Sequence, residues 1–401
     1  MRGWLRMRPV LPRPGPVHRF PMLRVPMLRV VAACLASLLL YAGLFTLALD
    51  RPLTLGLPRL LLDATIARGA AIEGPKLVIL AGSNGPYSHR CQTIEPILEL
   101  PCVNGGVAVG IGLDYLFARW QTLLHPGDVV YLPLEQAQYA RTRAATLVGP
   151  DAAIMARHDR ATLARLPADR WLGAVFAFDL RALVMSTIEL ALTATRFRDP
   201  RARVTGSANA WGDHIGHTAE LGAANATILA AARPEHLTAH AIATGDGTRI
   251  VRDFLAWAAA NDVRVIGGLP TGFADSPPPD ATLAAIRAVY EGPRARFLQL
   301  PNNSRYDRSA FFDTADHLHE AAQIVHSIAI GRALGDLYRS AETMTNGDNG
   351  SCHCERSEEI QEPGTIDPVG CPGLLRCARN DRDHPYVSGW GGWYYIDRPK
   401  Q

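Results

Sequence analysis

The chain has 401 residues, of which 48% are hydrophobic and 20% charged, and a formal net charge of +3. That is apolar material for a full core and excludes a disordered or collagen-like chain. The charge is too small to point to nucleic acid, and the seven cysteines are too few and too unevenly placed for a disulfide scaffold.

Residues 1–29 carry seven arginines and no acidic residue. Val30 to Leu49 follow as an apolar run broken only by Ser37, Tyr41 and Thr46. A bilayer needs about 20 such residues at about 1.5 Å rise, so a transmembrane anchor is expected over 30–49. The basic side stays in the cytoplasm and the rest of the chain lies outside it. The alternative is a cleaved signal peptide starting at Met22 or Met27, but no clear A-x-A site follows.

Residues 52–75 read as a stalk and connecting helix. Lys76 to Leu80 (KLVIL) is a buried strand, 90–99 a helix, and Pro101 to Asn104 a short strand closed by Gly105-Gly106. Asp114 to Leu124 has helical apolar spacing, and Val129 to Leu134 (VVYLPL) is the next strand. Residues 140–250 break this rhythm as a mostly helical insertion or cap, with a loop around Gly206 to Gly216. Within it, Trp171 to Phe197 reads as an amphipathic helix rather than a second span, because it carries Asp179, Arg181 and Glu189. The rhythm returns with a helix over Ile250 to Ala260 and a strand over Arg264 to Leu269. A helix over Asp280 to Tyr290, a strand over Arg296 to Leu300 and a helix over Glu320 to Leu337 complete it. The alternation predicts an α/β domain over 52–340 with a parallel sheet. Residues 341–401 have no periodicity and read as an irregular, disordered tail.

Three segments carry chemistry. Ala81-Gly82-Ser83-Asn84-Gly85 follows a buried strand and precedes a helix. At that carboxyl end of the sheet, ligands bind. Asn104-Gly105-Gly106 ends the next strand. Phe312-Asp313-Thr314-Ala315-Asp316-His317-Leu318 follows the last one. Together they supply a nucleophile, a base and a carboxylate to orient the base. The competing readings are a helix N-cap for Ser83, a surface or capping role for His317, and a tight turn at Asn104.

These segments, as KLVILAGSNG, CVNGG and FFDTADHLHEAAQ, resemble the SGNH/GDSL hydrolase superfamily. They are most similar to its membrane-anchored, cell-envelope branch related to polysaccharide and peptidoglycan O-acetylation. The resemblance spans about 76–337, with the insertion outside it. It implies a flavodoxin-like three-layer α/β/α sandwich, with Ser83 as nucleophile and His317 as base. Asp313 is the preferred acid and Asp316 the alternate. Gly105 resembles the family's glycine oxyanion donor. From the residues themselves, the Ser83 N–H at a helix start suits the same oxyanion and Asn104 is a further donor candidate, with Asn84 and with Glu135 at a strand end as other oxyanion or substrate candidates. The family's Gly-x-Asn-Asp block is absent; Pro133-Leu134-Glu135 stands there instead.

The expected activity is that of a serine-dependent acyl esterase or O-acyltransferase on an envelope polysaccharide or peptidoglycan. It would sit in the bacterial inner membrane with its catalytic domain in the periplasm. It needs no cofactor, metal or nucleic acid, and the resemblance implies a membrane partner that exports acyl groups. The rival is an inactive, membrane-tethered glycan-binding or scaffold protein of the same fold. A weaker third reading is a metal-dependent hydrolase using Asp213, His214 and His217, with Trp211 as a sugar platform in the same loop. Cys91 and Cys102 stand as either a disulfide or two buried thiols. The tail, with Cys352, Cys354, Cys371 and Cys377, resembles translated bacterial interspersed repeat DNA, so 345–401 reads as appended.

Overall fold

The structure, a computed structural model, describes residues 27–48, 53–176, 207–292 and 295–346, with scattered positions between 184 and 195. The basic segment before residue 27, most of the expected 171–197 helix and the tail from 347 lie outside the described residues.

Helix α1 (Met27–Ala48) contains the apolar run, and its Met27–Leu44 window has a mean hydropathy of 2.0 with no residue buried. It is long and apolar enough to span a membrane. Helix α2 (Leu53–Ala71) then leads into the α/β body.

The body is built on a parallel sheet of β1 (Leu77–Ile79), β2 (Cys102–Asn104), β3 (Val129–Leu132), β4 (Arg264–Gly268) and β6 (Ala295–Leu298). Its order is β2-β1-β3-β4-β6. Two further short strands, β5 (Gly272–Phe273) and β7 (Arg305–Tyr306), pair separately. Side chains of successive strand residues alternate between faces. Val78, Leu80, Val103, Val130 and Leu132 therefore join one core, while Leu77, Ile79, Cys102, Val129 and Tyr131 join another. Both faces are covered, which is why these strands read as unbroken apolar runs rather than alternating ones.

The first core also takes Leu113, Phe117 and Trp120 of α5 (Leu113–Trp120) and Ile250 and Phe254 of helix Asp246–Ala260. The second takes Cys91 and Ile94 of α4 (Cys91–Leu98) and Ile330 and Leu334 of the closing helix Glu320–Asn346. That closing helix runs past the expected end at Leu337. Cys91 and Cys102 are joined as a disulfide with Cα atoms 5.3 Å apart, tying α4 to β2.

At the amino ends of β1 and β3, Lys76 and Asp128 form a fully buried ion pair of 2.7 Å. Asp128 also accepts the N–H groups of Lys76 and His125. Removing one partner of such a pair leaves an uncompensated buried charge.

The insertion is mostly helical where described, apart from the loop over 207–217. The helices α6 (Gln136–Ala140), α7 (Arg143–Leu147), α8 (Pro150–His158), α9 (Arg160–Leu163) and α10 (Ala168–Val175) follow β3. Part of this group packs on α2 and α5 rather than over the sheet. Arg170 of α10 is buried against Asp151, Asp114 and the Thr146 carbonyl, which fixes the rotation of that helix.

Candidate active site

β1 ends at Ile79, and the chain turns through Ala81-Gly82 into the short helix α3 (Asn84–Ser88). Ser83 occupies the N-cap position of α3, but its side chain makes no capping hydrogen bond. Its Oγ instead lies 2.8 Å from Nε2 of His317. The other imidazole nitrogen, Nδ1, is 2.7 Å from Oδ1 of Asp313. With Asp313 ionised, Nδ1 donates to it, and Nε2 is left to accept the serine hydroxyl proton. The N-cap reading of Ser83 therefore gives way to a hydroxyl directed at a base. His317 is 9% exposed, so the imidazole at the centre of this relay is largely shielded from water.

A stack of rings holds the imidazole. Tyr87, one turn after Ser83 on α3, lies face-on to His317 at 4.1 Å between centroids and face-on to His214 at 4.0 Å. His214 Nδ1 is 3.1 Å from His217 Nδ1. Burial lowers both pKa values, to about 3 for His214 and about 4 for His217, so each is neutral at ordinary pH. The loop over 207–217 is thus a wall behind the base.

One hydroxyl joins the two halves of the site. Ser88 Oγ donates to the Asp316 carbonyl at 2.7 Å and lies 2.9 Å from Thr271 Oγ1, while the Leu318 N–H donates to it at 3.3 Å. Thr271 also donates to the Asp316 carbonyl. Helix α3, the loop after β4 and the loop that carries His317 meet there.

No family model matches the chain, and no curated protein or solved structure is similar to it. The residues themselves therefore carry the functional argument.

Ser83, His317 and Asp313 come together; the remaining candidates do not all join them. Asp316 makes no side-chain hydrogen bond to His317 and is tied instead through its backbone. Gly105 donates its N–H to the Ile79 carbonyl, continuing the β1–β2 ladder. A Cβ there would come within 2.7 Å of Trp120 and 2.8 Å of Leu80, so this glycine answers a packing need. The Asn104 amide donates to the Gly85 and His89 carbonyls and to Asp213, all inside the protein. Neither residue is placed to donate to a substrate oxygen. Asn84 is fully buried, its amide donating to the Pro133 carbonyl at 2.9 Å.

Asp213 is separate from the two histidines in function. Its carboxylate accepts the Cys91 and Gln92 N–H groups and so caps α4. Among the described residues, no group of three or more His, Cys, Asp or Glu is arranged to hold a metal. Trp211 donates its indole N–H to Glu95 and lies under Arg68, packed on the second core.

Glu135 does reach the site. Its Oε1 accepts the Asn84 N–H at 3.3 Å and would lie 2.5 Å from a Cβ on Gly82. Burial, and then the neighbouring Asp316 carboxyl, raise its pKa well above the ordinary carboxylate value. Gln138 holds this corner, its Oε1 accepting the N–H groups of Gly82 and Glu135.

Sequence reading missed Val109, whose side chain also approaches Gly82, at 2.8 Å from the same Cβ position against 2.5 Å for Glu135. Among the described residues, neither the Ser83 nor the Val109 N–H has a hydrogen-bond partner.

Proposed function

We propose that this chain is a serine-dependent acyl esterase or O-acyltransferase, with Ser83 as nucleophile, His317 as base and Asp313 as the orienting acid. The observation that carries this reading is the continuous relay from Asp313 through His317 to Ser83, with its two contacts of 2.7 and 2.8 Å. The strand order and the helices on both faces favour a flavodoxin-like α/β/α sandwich of the SGNH/GDSL kind. In such sheets, ligands bind outside the carboxyl ends of the strands, where the relay stands.

Ser83 Oγ attacks the acyl carbonyl as its proton passes to His317 Nε2. The carbonyl oxygen becomes an oxyanion, and the N–H groups of Ser83 and Val109 are the candidates to receive it. Collapse expels the alcohol, which takes the proton from His317 and leaves an acyl-serine. Water or a sugar hydroxyl then attacks that ester, giving its proton to His317 Nε2; collapse of the second tetrahedral intermediate breaks the acyl–Oγ bond, and Ser83 Oγ takes the proton back from His317. Water gives an esterase and a sugar gives a transferase.

The substrate class proposed is an envelope polysaccharide or peptidoglycan, with a membrane partner that exports acyl groups supplying the transferase. The apolar α1 helix supports single-pass anchoring in a bacterial inner membrane. The Cys91–Cys102 disulfide supports placing the body on the oxidising, periplasmic side.

The test is labelling of the full chain, in detergent or bilayer, by a fluorophosphonate probe, with p-nitrophenyl acetate turnover alongside. Labelling and turnover that vanish in both Ser83→Ala and His317→Ala are expected. A folded protein with neither signal would favour a tethered glycan-binding protein. The observation behind that second reading is that Asn104 and Gly105 are committed elsewhere and an acidic side chain, Glu135, lies beside the serine.

A further inference from the structure

Helix α10 is fixed on one side and bare on the other. Arg170, Gly173 and Ala174 are buried, with Arg170 clamped by Asp114 and Asp151. Its opposite face presents Trp171, Leu172 and Val175, which are 44%, 67% and 47% exposed, and Phe176 follows at 56%. Val184, Ile188 and Leu190 further along are exposed too. A cluster of this kind on a helix clamped by a buried ion network is not a side effect of loose packing, and it calls for a cover.

The position of this face beside α1 indicates what the cover is. Phe176 stacks on Tyr41 of α1, with ring centroids 6.0 Å apart. Arg157 at the end of α8 donates to the Thr46 carbonyl of the same helix at 2.9 Å. Tyr41 and Thr46 are five residues apart, a rise of about 7–8 Å along α1. If Arg157 marks the headgroup level, where a guanidinium can stay hydrated, Phe176 stands about that far towards the acyl chains.

We propose that the exposed face of α10 and Phe176 docks into the acyl region of the bilayer that α1 crosses, so that the domain rests on the membrane rather than hanging from a tether. The proposal rests on the reading of α1 as a membrane span. It commits to lipid as the occupant because α1 itself touches the domain at two places, Phe176 at the end of this face and Arg157 of α8.

The full chain in phospholipid nanodiscs tests this. Cys34, Cys352, Cys354, Cys371 and Cys377 are first replaced by serine, leaving Cys91 and Cys102 paired. Single spin labels are then placed by Leu172→Cys and Val175→Cys. Leu38→Cys in α1 serves as the lipid reference. Ile228→Cys, 61% exposed on another helix, serves as the water reference. Collisions with oxygen report acyl chains and collisions with a neutral nickel chelate report water. The 172 and 175 labels are expected to shift to the oxygen-favoured side with the label at 38. Labels at 172 and 175 that match 228, while 38 remains oxygen-favoured, would overturn the proposal. A label at 38 that is itself nickel-favoured would overturn both the span and the docking face. Neither outcome bears on Ser83 labelling, so failure of the enzyme reading stays distinguishable.

Discussion

Glu135 Oε1 stands 3.3 Å from the backbone nitrogen of Asn84, the residue after Ser83, and shares this corner with the Asp316 carboxyl. Burial is the larger reason that Glu135 holds its proton above the ordinary carboxylate range, and Asp316 is the second. In the unfolded chain Glu135 titrates near its ordinary value. As pH rises past that value, the unfolded chain loses a proton that the folded chain keeps, and stability falls. Glu135→Gln removes this loss. We expect it to melt higher than wild type at about pH 8, with the gain gone by about pH 4, where both states are protonated. Melting curves at the two pH values decide it; an equal offset at both would mean that Glu135 is ionised in the fold.

The two acids near the base make opposite predictions. Asp313→Asn removes the acceptor that fixes the His317 tautomer and should reduce acyl turnover by about 10⁴-fold, as in other serine triads. Asp316→Asn keeps the backbone contacts of residue 316 and leaves the relay intact, so turnover should stay close to wild type. Comparing kcat/KM for p-nitrophenyl acetate in the two variants tests the assignment. A larger loss in Asp316→Asn would reverse it.

The Lys76–Asp128 pair lies below the sheet, far along β1 and β3 from the serine turn. Lys76→Met alone strands the Asp128 charge and should destabilise the fold by about 3–5 kcal/mol. Adding Asp128→Asn removes the charge but keeps only one side-chain oxygen, so one of the two backbone N–H groups accepted by Asp128 loses its acceptor and the double variant should recover only part of that loss. Urea unfolding of the three proteins gives the comparison.

Reduction of the Cys91–Cys102 bridge should lower stability by about 2–4 kcal/mol. The bridge closes a short loop across the second core, so the cost falls on α4 and β2 together. Melting with and without reductant measures it; Cys91→Ala should melt low in both conditions, and a reductant-induced shift that persists in that variant would show that the reductant acts elsewhere.

Much of the layout was legible because buried parallel strands are short apolar runs, and KLVIL and VVYLPL have few other uses. The serine turn and the Asp313–His317 spacing were readable for the same reason: both follow such runs. The Ser83 N–H, at the start of a helix, is readable as an oxyanion donor, but its companions are not. Asn104 was read as facing a substrate, but its amide turns inward to satisfy Gly85, His89 and Asp213, and sequence carries no sign of that choice. Val109 reaches Gly82 only because the loop after β2 folds back on the nucleophile turn, which no local spacing encodes. Tyr87 did leave a signal, since it stands four residues after Ser83 on a helical turn, the separation that puts two side chains on one side. The helix Glu320–Asn346 continues beyond Leu337 because nothing in the sequence up to Asn346 breaks it.

The Ser88 hydroxyl has a consequence for the order in which this protein becomes competent. It fastens the nucleophile helix to a loop that the chain supplies only near its end, since Ser88 and Leu318 are 230 residues apart. Contacts at such separation carry a loop-closure cost and form late in folding. A nascent or refolding chain can therefore hold most of its helices and its first three strands while its serine has no base. The Ser83–His317 contact, and on the proposed reading the acyl chemistry with it, waits until the last part of the domain has closed on the first.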